Sequence, residues 1–170
     1  DLLVAIYLET GKSDQAIREL EAVLAKSPHN KAALMTLAHL EEKQGNYAKA
    51  RDIYEKVLSF AGDDLTALNN LAYIYAERLN QLDKALELAR KARTLAPANP
   101  AVADTLGWIL FRRDDYQQAA PLLEEAAQKI NDDPEIRFHA AMVHYMMGQP
   151  DVARSDLEQA LSMARDFPSK

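Results

Sequence analysis

The chain reads as an all-α solenoid, a single array of stacked helix pairs, and three observations predict this. Alanines recur at 16, 50, 85, 119 and 153, separated by 34, 35, 34 and 34 residues, a period that marks a structural repeat. Within each period two helical hydrophobic patterns are separated by a short polar break. The breaks carry Gly11, Gly45, Asn80, Asp114 and Gly148 at equivalent places, residue types that tolerate the positive φ often needed just past a helix end. A unit this short cannot bury its apolar face alone and must stack on its neighbours. The boundaries fall at 1–30, 31–64, 65–99, 100–133 and 134–167, giving five units and about ten antiparallel helices.

The first unit begins part-way through its opening helix, since Asp1 falls at the fifth repeat position; the chain does not start with Met, and the expectation is an excerpt of a longer protein. In the second unit Leu34, Leu37, Ala38 and Leu40 form the first apolar stripe. Gly45-Asn46 breaks it, and Tyr47, Ala50, Tyr54, Val57 and Leu58 form the next. Pro28 and Pro97 close the second helices of the first and third units, where proline cannot continue a helix. The third unit carries one extra residue near Leu79, expected to lengthen the turn or the first helix. In the fourth, Pro121 lies past the first turn of its helix, removes a hydrogen bond to Gln117, and is expected to bend it. Pro150 suits the first position of the last helix.

Composition narrows the function. Lys and Arg total 20 against 26 Asp and Glu, a net charge of −6, so the summed field repels nucleic acid. The densest basic run places Lys84, Glu87 and Lys91 on one helical face, a spacing for ion pairs on a wet surface. There is no cysteine, which removes disulfides and thiolate chemistry. No apolar run approaches the roughly 20 residues of a membrane span. His139 and His144 are five apart and point about 140° from each other around a helix. Glu135 with His139, or His39 with Glu42 or Lys43, makes only a two-ligand pair, and surface pairing is the expectation for both. No phosphate loop, nucleophile elbow or zinc-binding motif is present. The reading is therefore not an enzyme, with no cofactor and no metal.

The period and its residues resemble the tetratricopeptide repeat, most plainly at Leu106-Gly107 and at Ala119 with Leu123. The opening Trp position of that pattern holds Leu34, Leu68, Ala103 and Arg137 instead. The phrases NNLAYIYAE and DTLGWILF are similar to repeats of bacterial envelope proteins of exopolysaccharide export and PEP-CTERM sorting, which implies a periplasmic or envelope location. The family resemblance implies a right-handed superhelix whose first helices line a concave groove through repeat positions 2, 5, 9, 12 and 13.

Those positions select Met35 and His39 in the second unit, Asn69 and Tyr73 in the third, Asp104, Trp108, Phe111 and Arg112 in the fourth, and Phe138, Met142, Tyr145 and Met146 in the fifth. Trp108 and Phe111 lie nearly opposite the leucine stripe of their helix, so that helix has a second apolar face. Aromatic and methionine side chains give a recognition surface adaptable contact area. The expected partner is a protein or peptide segment, bound in this groove mainly by apolar contact. The cationic clamp of the family's chaperone-binding members is absent, since only Asn70 fits it. The alternatives are a structural spacer in a longer solenoid and an accessory region of an exopolysaccharide export system. Leu2, Leu3, Ile6, Leu157, Leu161 and Met163 make the array ends candidates for self-association.

Overall fold

The computed structural model describes residues 2–166, with side chains of residues 2–164, so Asp1 and Phe167 at the limits of the outer units lie outside the described residues. Among the described residues ten α-helices follow one another: α1 (Leu2–Glu9), α2 (Ser13–Lys26), α3 (Lys31–Lys43), α4 (Tyr47–Phe60), α5 (Leu65–Glu77), α6 (Leu82–Leu95), α7 (Pro100–Arg112), α8 (Tyr116–Lys129), α9 (Pro134–Met146) and α10 (Pro150–Asp166). Each helix packs on the next in sequence, and the first helices of successive units also touch, α5 on α7 and α7 on α9. The result is a solenoid of helix pairs.

The signals that punctuate the sequence act where the periodicity puts them. Gly11, Gly45 and Gly148 have φ of 68°, 78° and 76°, and Asn80 and Asp114 follow at 50° and 61°. A side chain at these turns is strained, which restricts them to Gly, Asn and Asp. The last position of each unit adds a second periodic device. Asn30, Asp64, Asn99 and Asp133 each accept a hydrogen bond from a backbone N–H in the first turn of the following helix, satisfying a donor that the helix itself leaves unpaired.

The alanine ladder is the close-packed spine. Ala16, Ala50, Ala85 and Ala119 are fully buried and Ala153 nearly so, because a methyl group lets the paired helices approach. The approach is tightest at Gly107, where an added Cβ would lie 2.8 Å from Leu123 Cγ and 3.1 Å from Leu122 Cβ. The extra residue of the third unit goes into the turn: α5 keeps 13 residues like α3, α7 and α9, while its connection to α6 spans 78–81. Pro121 stands within α8, which continues through it.

Candidate partner-binding groove

The candidate groove residues lie on the first helices of the repeats, α3, α5, α7 and α9. Among them Trp108 is half-buried, and its surroundings explain how it is held. Its Nε1–H donates to Glu77 Oε1 at 2.8 Å. The indole stacks on Phe111, one turn along the same helix, with centroids 4.8 Å apart and planes at 5°, and on His139 of α9 at 4.0 Å and 16°. Phe138 tilts against it at 6.2 Å. Phe111 in turn meets Tyr116.

Polar groups lock this aromatic stack from both sides. Arg112 donates through Nη1 to Ala76 O at 2.6 Å and Glu77 Oε1 at 2.7 Å, and through Nη2 to Asn80 Oδ1 at 3.1 Å. One guanidinium therefore ties α7 to the last turn of α5, satisfying a carbonyl that the helix end leaves open. Asp104 holds His139 by Nδ1 at 2.9 Å and 3.1 Å to its two carboxylate oxygens. Tyr73 OH donates to Glu135 Oε1 at 3.1 Å, a bond from the third unit to the fifth that passes over the fourth. Burial, then the neighbouring Glu135 charge and hydrogen bond, push the Tyr73 phenol up to about 12, so it remains a donor at neutral pH.

These contacts correct one expectation. Glu135 and His139 do not pair on the surface: His139 is buried at 4 % exposure beneath Trp108 and bound to Asp104, and Glu135 takes the Tyr73 hydroxyl. His139 sits one position outside the groove set of the repeat, so that pattern passed it over. The spacing of 35 residues between Asp104 and His139, close to one repeat, is the signal that pairs them. The other surface pair, His39 with Glu42, lies at 3.9 Å. Lys91 meets Asp63 at 3.0 Å across units. Among the described residues no three His, Asp or Glu side chains converge to hold a metal ion, and no helix is long and apolar enough to cross a membrane.

The twelve groove residues divide by exposure. Met35, Asn69, Tyr73, Asp104, Trp108, Phe111, Arg112 and Met142 are half-buried, and His39, Phe138, Tyr145 and Met146 are exposed. The open part is concentrated on α9, where Phe138, Tyr145 and Met146 are 40 %, 64 % and 44 % exposed. Phe138, Met142 and Tyr145 fall within about 60° of one another around that helix, forming one apolar stripe. Asn69 Oδ1 is buried on the same wall without a hydrogen-bond partner. Elsewhere in the interior Asn70 Nδ2 donates to the phenol oxygen of the fully buried Tyr54 at 3.0 Å, a contact that hydrophobic periodicity does not reveal.

Comparison with known proteins agrees with this architecture. A family described as Tetratricopeptide repeat matches residues 7–73 and 110–169, and another of the same description matches 65–99. A TPR repeat-containing protein of Pseudomonas aeruginosa is 29 % identical over 146 residues, covering 82 % of this chain and 25 % of that protein. DnaJ homolog subfamily C member 3 of Gallus gallus is 31 % identical over 161 residues, covering 95 % and 28 %. The chain thus spans about a quarter of each of these relatives. A solved structure of MamA from Desulfovibrio magneticus superposes with a TM-score of 0.79 at 16 % identity, covering 98 % of this chain and 93 % of that one, a likeness of fold. With its 34-residue ladder, paired helices and matched repeats, the chain belongs to the tetratricopeptide-repeat family.

Proposed function

We propose that this array is a protein-interaction scaffold that holds a segment of another protein on its concave face, with α9 as the main contact surface. The observation that carries the reading is the stripe Phe138, Met142 and Tyr145, extended by Met146 and continuous with the half-buried Trp108 and Phe111. Large apolar side chains left open to water on one helix face mark interaction surfaces more often than solitary exposed residues do, and an amphipathic or extended segment is the ligand such a strip fits. Trp108 braces the surface from behind, since its indole N–H is bound to Glu77 and its ring is stacked on Phe111 and His139; the protruding rings of Phe138 and Tyr145 are the anchors.

A capture experiment from an extract of the source cells tests this, comparing the wild-type chain with Phe138→Ala/Tyr145→Ala and with Arg154→Ala, an exposed position on α10. The reading predicts that the double variant loses about tenfold or more in apparent affinity for whatever the wild type retains, while Arg154→Ala retains it. Equal retention by all three would remove the groove from recognition and move binding to the convex side; no retention by any of them would leave the spacer reading. The array ends support a second mode, stacking of copies end to end, because Leu2 and Ile6 at one end and Val152 and Leu161 at the other are 78 %, 44 %, 47 % and 57 % exposed. Sedimentation of the chain as a monomer at high concentration would exclude it.

A further inference from the structure

The fifth unit differs from the others at the positions where its two helices meet. In the third and fourth units these sites hold apolar or aromatic side chains, and in the second Leu34 and Ile53 accompany one buried charge, Glu41, which is held by Lys49 and Asn46. One repeat back from Arg137, His144 and Asp156 stand Ala103, Leu110 and Leu122; the third unit has Leu68, Tyr75 and Leu88, with Leu68 and Leu88 in one cluster. In the fifth unit three ionisable side chains fill this space, with side-chain exposures of 18 % for Arg137, 12 % for His144 and 10 % for Asp156.

They form one network across three helices. Arg137 Nη1 of α9 lies 3.4 Å from Asp156 Oδ1 of α10, and Nη2 donates to Ala127 O of α8 at 3.3 Å. His144 Nδ1 lies 2.8 Å from Asp156 Oδ2, and its Nε2 3.2 Å from Glu124 Oε1 of α8. The network is incompletely satisfied, since Arg137 Nε is buried without a partner. His144 thus stands between two carboxylates, one at each ring nitrogen.

We infer that α9 and α10 form a separately opening module, in which a partly satisfied ionic interior makes the fifth repeat come apart without unfolding the repeats before it. Buried ionic groups give back in attraction about what desolvation costs, whereas matched apolar residues in the same space are often more stabilising. A repeat array transmits stability only through neighbouring interfaces, which lets one unit open alone. The module carries the α9 stripe, so its opening moves one end of the concave face. The inference stands on the α9–α10 interior and does not depend on the binding reading.

Hydrogen exchange of the whole chain, read by mass spectrometry over individual helices, tests it. Backbone amides of α10 are expected to exchange about tenfold or more faster than those of α8. The substitutions Arg137→Leu, His144→Leu and Asp156→Leu together, which restore the residue type of the third and fourth units, are expected to slow α10 exchange about tenfold while leaving α5–α8 unchanged. Asp156→Asn, which keeps the volume and removes the shared anion, is expected to speed it. Equal protection of α8 and α10 in the wild type would overturn the inference. So would fast α10 exchange that the triple substitution leaves unaltered, because simple fraying of the last helix pair would then explain it. If the triple variant does not fold, the wild-type comparison and the Asp156→Asn response decide the matter: no acceleration in Asp156→Asn overturns it.

Discussion

The fourth and fifth repeats share helix boundaries, with α7 and α9 each 13 residues long and one repeat apart, yet they resolve the same geometry in opposite ways. The fourth presses its two helices together at Gly107 and covers its inner-face aromatics with Glu77, His139 and Phe138. The fifth places Ala141 where the fourth has Gly107, fills its interior with Arg137, His144 and Asp156, and leaves Phe138, Tyr145 and Met146 open to water. The difference teaches that the same pair of helices can be closed by tight packing in one repeat and leave its apolar face open in the next. A scaffold needs both, because an anchor binds well only when the wall behind it does not yield.

Substitutions that convert one repeat toward the other probe that contrast most sharply. Asp156→Ala removes the anion that Arg137 and His144 share, and should cost about 3 kcal/mol in the docking of α10. Limited proteolysis should then cut within α10 while α3–α8 stay intact; a uniform loss of protection along the chain would dissolve the distinction between the repeats. Gly107→Ala drives a Cβ into Leu123, a side chain with no exposed surface, and should cost about 2 kcal/mol by denaturant unfolding. A neutral result would mean that α7 and α8 have slack and that the fourth repeat is no stiffer than the fifth.

A smaller effect is expected from Tyr54→Phe, which deletes the hydroxyl that receives Asn70 and should cost about 1 kcal/mol. It lies in the second unit, so α10 exchange should not respond. The smallest effect concerns acid. Burial alone would raise the Asp64 carboxyl, but the hydrogen bonds from Lys31 and the Ala67 amide outweigh it and hold the group below its ordinary range. A depressed folded pKa contributes stability that is present above the unfolded value and is lost as pH falls through the folded one. Thermal melts should therefore show a loss of below about 1 kcal/mol on acidification beneath the usual aspartate range, reduced in Lys31→Met. A loss that Lys31→Met leaves intact would point to other carboxylates.

The parts legible in the sequence were those set by local chemistry with a fixed period. Alanines 16, 50, 85, 119 and 153 announce the helix crossings because only a small side chain fits there. Asn80 and Asp114 take positive φ as the glycines do, because their short polar side chains tolerate it. The placement of Trp108 against its neighbours was less legible, since the stacking of His139 depends on how far α9 leans over α7. The Arg137–His144–Asp156 network also escaped a reading by hydrophobic stripe, which registers polar residues as surface whether or not the fold encloses them. Aligning each unit on the one before reveals both, since a polar residue where earlier units hold an apolar one is either solvated or partnered.

The central claim is that the open stripe on α9 is where a partner sits. A photo-crosslinking phenylalanine analogue at position 145, compared with one at the exposed position 154 of α10, tests this in the intact protein. The account predicts a discrete crosslinked adduct from position 145 that is absent from position 154 and is suppressed by Phe138→Ala. An adduct from position 154 with none from position 145 would contradict it and move recognition to α10.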